Sequence, residues 1–405
     1  MIKVAILGYG TVGSGIFEVI RTNQETIDLK TGDELRVKYV LDLRDFPGDP
    51  VEEVLVHDYE VIVNDPEVKI VAEAMGGIEP AYTFAKKALE NGKSFCTSNK
   101  ELVAKHGAEL IELAKKNNLN FLFEASVGGG IPVLRPFITS LTPEQVVDVS
   151  GILNGTTNYI LTKMTDEGLD FDSVLKDAQD KGYAERNPEA DVEGYDACRK
   201  IAILSSLAFG KQVDFEDIKT EGITAITDAD ILYAKSMNKV IKLLGTASKN
   251  AAGKVSAMVA PFMIGNDSPL YAVNDVFNAI AVTGNTLDTV MFYGKGAGKL
   301  PTASAVVSDI IDEAKHLNRN IDIVWSREKL ELEKPDGIVN KFFVRLSGDD
   351  QEIKDKVAAE FGDVTVVNCE KVSGEYAFIT PAMTEKDFAD KAEKFANLVN
   401  KIRVK

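Results

Sequence analysis

Gly8, Gly10 and Gly13 stand in the order Gly8-Tyr9-Gly10-Thr11-Val12-Gly13, directly after the apolar run Ile2–Leu7. A G-x-G-x-x-G turn between a strand and a helix is a dinucleotide-binding pattern. Gly8 permits the tight turn, Gly10 lets the backbone approach a pyrophosphate, and Gly13 lets the helix pack against the strand. Thr11 and Val12 open that helix, whose free N–H groups and partial positive charge attract phosphate. A nicotinamide dinucleotide held there would serve hydride transfer. The next strand ends Val40-Leu41-Asp42-Leu43-Arg44. An acid at this place binds the ribose hydroxyls of NAD, and an arginine accepts the 2′-phosphate of NADP. Both types are present, and Asp42 lies farther from the glycines than the usual ~20 residues. NADP and NAD both stay open, with Arg44 at the start of the loop favouring NADP slightly.

A second set of residues suits proton transfer. A helix starting at Gly194 places Asp196, Lys200, Ile203 and Leu207 on one face. A lysine at the head of a buried stripe can donate a proton and stabilise a developing alkoxide, provided burial and cationic neighbours lower its pKa. The same spacing describes an ordinary i,i+4 ion pair worth a few tenths of a kcal/mol, and spacing alone does not separate the two. Just before it stand five acids, Glu185, Glu189, Asp191, Glu193 and Asp196. Each could hold an ammonium group, and most are expected to be solvated loop charges. Asn154-Gly155-Thr156-Thr157-Asn158 offers small polar groups and backbone donors after a strand, or simply a tight turn. Glu124 is either a paired acid at a sheet end or, with nearby carbonyls, a ligand for a hard cation.

The elements that would position these groups form an α/β protein. Strands are expected at Ile2–Leu7, Arg36–Leu41, Ile70–Glu73, Ser94–Thr97 and Asn120–Phe123. Helices at Thr11–Arg21, Ala81–Asn91 and Lys100–Lys116 lie between them. That alternation implies a Rossmann-type parallel sheet over residues 1–130, with ligands at the strands' carboxyl ends. Gly and Pro at 128–132 mark a crossing. Residues 131–298 read as a mixed α+β substrate and dimerisation domain. Its strands are Val146–Leu153, Val255–Ile264 and Leu287–Tyr293, and its helices Ser173–Lys181, Gly194–Phe209 and Ala229–Leu244. Pro301–Leu317 is a long helix with proline at a favoured first position; as residues 299–320 it returns to the first domain. Val324–Pro335 reads as a linker. Residues 336–405 alternate strands Phe342–Leu346, Val364–Lys371, Glu375–Thr380 and Ile402–Lys405 with helices Gln351–Phe361 and Glu385–Val399. That βαββαβ order is ferredoxin-like.

Composition narrows the class. Acidic residues outnumber basic ones 63 to 46, for a net charge of -17. Such a surface repels nucleic acid and anionic membrane. Three cysteines without a C-x-x-C pair and three scattered histidines suggest neither a disulfide framework nor a transition-metal site. No apolar run approaches the ~20 residues of a membrane span, and the N-terminus lacks a signal-peptide cleavage pattern. The expected compartment is the cytoplasm.

Several stretches together resemble homoserine dehydrogenase. They are Ala72-Glu73-Ala74-Met75-Gly76-Gly77, Thr97-Ser98-Asn99-Lys100, Asn154–Asn158, the run from Gly182 through Asp191-Val192-Glu193-Gly194-Tyr195-Asp196 to Lys200, and Gly294–Gly298 followed by Pro301-Thr302-Ala303-Ser304. They occur in family order across roughly residues 1–320. The resemblance implies reversible NAD(P)H-dependent reduction of L-aspartate 4-semialdehyde to L-homoserine, a step toward threonine, methionine and isoleucine. It gives Lys200 the role of catalytic acid/base, with Asp196 at its side, and puts Lys100 beside the nicotinamide and the substrate. It assigns Glu185 to the substrate amino group, with Asp191, Asp196, Gly155 and Thr156 lining the site. It adds Gly76 and Gly296 to the cofactor contacts. It also makes Glu124, with backbone groups of Val127, Gly129 and Ile131, a monovalent cation site for an ion such as Na+. It implies a homodimer or homotetramer. The tail resembles an ACT module, which would make threonine an effector. The Pro-Gly-Val-type turn expected after its first strand is replaced by Ser347-Gly348-Asp349-Asp350-Gln351-Glu352-Ile353, and a structural or dimerising role stays equally open. Two other readings compete. One is a dehydrogenase for another amino-acid aldehyde or ketone. The other is a non-catalytic sensor of dinucleotides or amino acids, against which the Asp196–Lys200 pair speaks.

Overall fold

The computed structural model describes residues 1–405. It divides into two compact units, one of residues 1–145, 202–214 and 292–330, the other of residues 146–201, 215–291 and 331–405.

The first unit is built on a six-stranded sheet: β1 (Ile2–Leu7), β2 (Leu35–Leu41), β3 (Leu55–Val56), β4 (Val68–Glu73), β5 (Ser94–Thr97) and β6 (Phe121–Leu122). The strands run in the order β3-β2-β1-β4-β5-β6, every neighbouring pair parallel. This is the doubly wound order, and the chain reverses direction across the sheet between β1 and β4. Val4, Ala5, Ile6 and Leu7 are fully buried, as expected where helices cover both faces of a parallel sheet. The helix Lys299–Lys315 packs against the helix Thr11–Thr22. Residues 324–335, read as a linker, instead carry the strand Ser326–Lys329, which pairs with Lys211–Gln212. Trp325 anchors that strand by donating its indole N–H to Gln212 at 3.1 Å.

The second unit is dominated by an eleven-stranded mixed sheet. Its principal strands are β7 (Val146–Ile152), β8 (Val240–Lys249), β9 (Val255–Ile264), β10 (Phe277–Gly284), β11 (Asp288–Lys295), β12 (Val339–Ser347), β13 (Thr365–Val367), β14 (Glu375–Ile379) and β15 (Leu398–Val404). They lie in the order β11-β10-β7-β8-β9-β15-β12-β14-β13. The expected helix Ala229–Leu244 is two elements. A helix spans Asp228–Ser236, Asn238 turns the chain at φ 54°, and β8 follows. β8 sits between β7 and β9 with Ile241, Leu243 and Leu244 buried. A strand covered on both faces reads as a continuous apolar run, which periodicity cannot distinguish from a buried helix.

The last part of this unit has βαββαβ order, with helices Gln351–Phe361 and Glu385–Ala392 packed on its strands. Its core is Phe342, Val344, Phe361, Phe378 and Phe388, and the rings of Phe342 and Phe388 stack at 4.0 Å. The expected helix Glu385–Val399 stops at Ala392, and β15 takes residues 398–404. β15 inserts between β12, antiparallel, and β9, parallel, through Phe262–Arg403 and Met263–Val404. The tail therefore extends the sheet of the middle region. The strand expected at Ile402–Lys405 is there but starts earlier, and its polar Asn400, Lys401 and Arg403 gave no sign of its central place, because interior strands are normally apolar.

One feature of the first unit is unsatisfied. Glu313 is fully buried and neither carboxylate oxygen has a hydrogen-bond partner. Burial, then Asp309 and Asp312, push its carboxyl well above the ordinary value, with Arg135 opposing. A raised folded-state pKa contributes stability that is complete below the unfolded value near 4.5 and is lost as pH rises toward the folded one. Glu313→Leu is expected to raise unfolding stability at pH 7 by about 1–3 kcal/mol. Urea melts should show that gain shrinking as pH falls below 5; equal or lower stability at pH 7 contradicts it.

Candidate active site

The glycine turn has the geometry its spacing requires. Gly8 sits at φ +90°, and a Cβ there would lie 2.9 Å from Met75 Cγ and 3.1 Å from the Ala74 carbonyl oxygen. A Cβ on Gly13 would fall 1.8 Å from the Gly8 carbonyl oxygen, so only glycine lets the helix start so close to the loop. A Cβ on Gly10, by contrast, meets nothing within 4 Å. That open space faces a helix start at Thr11 and Val12 with no side-chain cap, where a pyrophosphate finds backbone donors. The residues therefore fit a dinucleotide.

Asp42, just past β2, closes the loop. Its Oδ2 accepts the Tyr9 backbone N–H at 2.8 Å. Its two oxygens also take Nε and Nη2 of Arg44 at 2.9 and 3.0 Å. The Arg44 guanidinium holds the Asp42 carboxyl well below the usual range. Arg44 is itself exposed and lies over the Phe46 ring.

The ends of β4 and β5 are tied by Glu73, which is fully buried. It accepts from Met75 N at 2.6 Å, Gly76 N at 3.1 Å and Thr97 Oγ1 at 2.5 Å. Asn99 donates its side-chain N–H to the Gly77 carbonyl and caps the helix Lys100–Lys116 by accepting from Glu101 and Leu102 N–H. Gly76 and Lys100 are thus held at the carboxyl edge of the sheet. Glu73, Thr97 and Asn99 escape sequence reasoning as fixers; only Asn before a helix start signalled a cap.

The Glu124 carboxylate caps a helix start. It accepts the backbone N–H groups of Val133, Leu134 and Arg135 at 2.6, 2.9 and 2.7 Å. Both oxygens take part in capping the helix Leu134–Ile138. Val127 and Ile131 are buried beside it in the chain, and Gly129 approaches Gly296 so closely that a Cβ would lie 2.5 Å from the Gly296 carbonyl oxygen. The main-chain oxygens of Glu124, Val127, Gly129 and Ile131 are a further set of hard donors in this segment.

In the second unit the helix Tyr195–Phe209 carries Asp196 and Lys200 in its first turns. Lys200 Nζ donates to Asp196 Oδ2 at 2.7 Å and to the Leu153 carbonyl at 2.8 Å. Their side chains are 12% and 9% exposed, which removes the pair from the class of solvated surface bridges. Asn154 stands at the end of β7 and caps the helix Gly155–Glu167 through Thr157 N–H. Its side-chain amide also donates to Asp191 at 2.7 Å and to Asp196 at 3.0 Å. One amide therefore draws together two carboxylates from separate segments. Burial raises the Asp191 carboxyl, Asn154 and Lys200 lower it, and the nearby Asp196 adds to the rise.

Of the five acids only Asp191 and Asp196 enter this cluster. Glu185 lies exposed on its loop, tied by its carbonyl to Gln179 at 3.0 Å. Thr156 donates to the Tyr183 carbonyl at 2.6 Å, which anchors that loop to the helix. A Cβ on Gly155 would lie 2.8 Å from the Val276 carbonyl, so its small size serves packing. Asn154, the hub, stands out in the sequence only within its polar stretch, without its bridging role. Its signal was an Asn at a strand end, three residues before Thr157, ready to cap.

Comparison with known proteins agrees with this geometry. Residues 132–311 match the homoserine dehydrogenase family profile, and residues 8–124 match the profile of the homoserine dehydrogenase NAD-binding domain. A homoserine dehydrogenase of Synechocystis sp. is 48% identical over 77% of this chain and 73% of its own length. The crystal structure of a homoserine dehydrogenase from Thiobacillus denitrificans superposes with a TM-score of 0.88 at 33% identity, covering 100% of this chain and 98% of that one. A hyperthermophilic archaeal homoserine dehydrogenase in complex with NADPH matches at 30% identity and a TM-score of 0.66, over 77% of this chain and 97% of its own.

The open space at Gly10 separates folding from binding. Gly10→Val should leave the melting temperature within about 2 °C, because its side chain meets no neighbour. It should weaken dinucleotide binding more than about tenfold, read by fluorescence titration. Undiminished binding contradicts the assignment of that space.

Proposed function

Because the chain belongs to the homoserine dehydrogenase family, and so is an NAD(P)-dependent oxidoreductase interconverting L-aspartate 4-semialdehyde and L-homoserine, we propose that Lys200 is the proton donor of that reaction. The observation that carries the proposal is the half-buried Lys200 Nζ, 2.7 Å from Asp196 and 2.8 Å from the Leu153 carbonyl. An ammonium has three N–H donors. Two are directed by these acceptors, and the third goes to the substrate oxygen. The bound dinucleotide supplies the hydride. Lys200 stabilises the alkoxide as it forms and hands it the proton, while Asp196 keeps the ammonium aimed. In the oxidative direction Lys200 takes the hydroxyl proton back.

Asp191, held by Asn154 beside Asp196, receives the substrate ammonium, with Glu185 reaching in from its exposed loop. Thr156 and Gly155 support that loop and the helix start. At the cofactor end, the main chain at Gly8, Gly10, Thr11, Val12 and Gly13 cradles the pyrophosphate. Gly76, Lys100 and Gly296 complete the binding surface, with Lys100 as the cationic partner for the nicotinamide end. NADP is the preferred cofactor on the ground that Arg44 neutralises Asp42, so a 2′-phosphate meets a guanidinium instead of a bare carboxylate. The archaeal relative carries NADPH.

The same proposal extends to three finer points. Main-chain oxygens of Glu124, Val127, Gly129 and Ile131 hold a monovalent cation such as Na+, a donor set that suits hard ions. The βαββαβ tail acts as an ACT module with threonine as effector. The protein works in the cytoplasm as a homodimer or homotetramer. The edge strand β11 supports self-association, since Met291 and Tyr293 are 41% and 52% exposed on it. No helix is long and apolar enough to cross a membrane.

Lys200→Ala should lower kcat by about 10²–10⁴-fold while NADPH affinity stays within about twofold. Lys200→Arg should not restore it, because a guanidinium does not release its proton. Turnover near the wild-type rate in either variant refutes the role. A steady-state series should show a lower KM for NADPH than for NADH, inhibition by millimolar threonine, and activation by Na+ over a bulky organic cation. Each point fails separately with its own arm.

A further inference from the structure

The substrate-side acid Asp191 sits on the short helix Glu189–Val192. What supports that helix from beneath is the segment Glu221–Thr224. Glu221 donates its backbone N–H to the Val259 carbonyl of β9 at 2.8 Å, and Ile223 donates to the Val192 carbonyl at 2.8 Å. Gly222 is pressed so close that a Cβ would lie 2.2 Å from the Val192 carbonyl oxygen and 2.6 Å from Glu193 Cα. Thr224 Oγ1 adds a hydrogen bond to Glu193 Oε1 at 3.1 Å.

The same segment is gripped on its other side by the tail. Arg403 of β15 is 1% exposed. Its Nη1 and Nη2 donate to the two oxygens of Glu221, both at 2.7 Å. Its Nε and Nη2 donate to the two oxygens of Glu385 at 2.6 Å. Lys401 reaches Glu221 at 2.6 Å, and Lys219 reaches Glu385 at 2.9 Å. Buried ion pairs of this kind rarely add net stability, but a bidentate fork fixes geometry tightly. A continuous line of contacts thus runs from β15 through Arg403, Glu221 and Gly222 to Val192 and Asp191. Asn154 then joins Asp191 to Asp196 and Lys200.

We propose that Glu221, held by Arg403 of the C-terminal strand, is a positioning residue that sets where Asp191 meets the substrate ammonium. The inference rests on the assignment of Asp191 to that ammonium. Glu221 touches neither substrate nor cofactor, so its effect falls on substrate affinity. It also gives the tail a use in every turnover, apart from any effector: the last strand of the chain is part of the support beneath the substrate helix. A small displacement of that support is enough to matter, because catalytic groups tolerate little misplacement.

Two matched substitutions test this. Glu221→Gln and Glu385→Gln each remove one negative charge from the same Arg403, but Glu221 belongs to the segment that supports Val192, whereas Glu385 reaches it only at one remove, through Arg403 and Lys219. Glu221→Gln should raise the KM for homoserine about fivefold, with kcat and the KM for NADPH within about twofold. Glu385→Gln should lower the melting temperature comparably and leave the homoserine KM unchanged. Should Glu221→Gln not fold, Thr224→Val, on the exposed side of the same segment, should raise the homoserine KM about twofold. A wild-type homoserine KM in Glu221→Gln, or in Thr224→Val where it stands in, or an equal rise in Glu385→Gln, overturns the inference. Asp191→Asn, measured in parallel, separates the levels. If it leaves the homoserine KM unchanged, the assignment of Asp191 fails and this inference falls with it. If it raises that KM while Glu221→Gln does not, the positioning role alone is wrong.

Discussion

Two carboxylates can share a half-buried crevice only if donors stand between them and their mutual repulsion. In this protein Asn154 and Lys200 are those donors. Asn154 reaches Asp191 and Asp196 with one amide, and Lys200 pairs with Asp196 while also bonding the Leu153 carbonyl. The arrangement makes the proton donor, its aiming acid and the proposed substrate acid a single unit. Leu153 and Asn154 must both be held at the end of β7 for that unit to exist, and a helix must begin there to fix Asn154 as its cap. Much of the second unit follows from this requirement: a long buried sheet gives β7 a rigid end, and the helix Tyr195–Phe209 delivers its first turns to it.

The first unit answers a different constraint with different means. A diphosphate needs close backbone approach and donors, and it tolerates no side chain in between. The three glycines supply the absence of side chains, each at a place where a Cβ would strike the loop or occupy the open space. Buried acids then do structural work around that loop. Asp42 ties the turn to β2, Glu73 ties β4 to β5, and Glu124 caps a helix. In each case a carboxylate accepts backbone N–H groups that the strand ends and helix starts leave without partners. Glu313 is the exception that shows the rule, since it has burial without such donors.

These differences explain what the sequence disclosed. The glycine turn was legible because its chemistry is local: six consecutive residues contain the whole device. The Asp196–Lys200 pair was legible as a pair because four residues bring side chains together on a helix, but its burial was not, since that depends on distant strands. The bridging role of Asn154 was hidden because its partners lie 37 and 42 residues away. The break at Asn238 was hidden because a positive φ at asparagine leaves no periodic trace, and β10 was not anticipated at all. β15 was anticipated only in its second half, as Ile402–Lys405, and its start was read as helix. Its arginine is buried and its lysine and asparagine half-buried, each meeting an acid or a carbonyl from elsewhere in the fold, and a sequence window sees only their polarity.

That last point bears on how the tail should be regarded. A ferredoxin-like unit with its own aromatic core reads as a separable appendage. Yet its final strand pairs with β9, and Arg345 and Arg403, both nearly fully buried, reach out of it to Asp230 and Glu221. Undocking would part each guanidinium from an acid of the middle region, Glu221 or Asp230, and leave it only its partner within the tail, Glu385 or Glu375. Shifts of β15 would be felt at Asp191 through the contacts from Arg403 to Glu221.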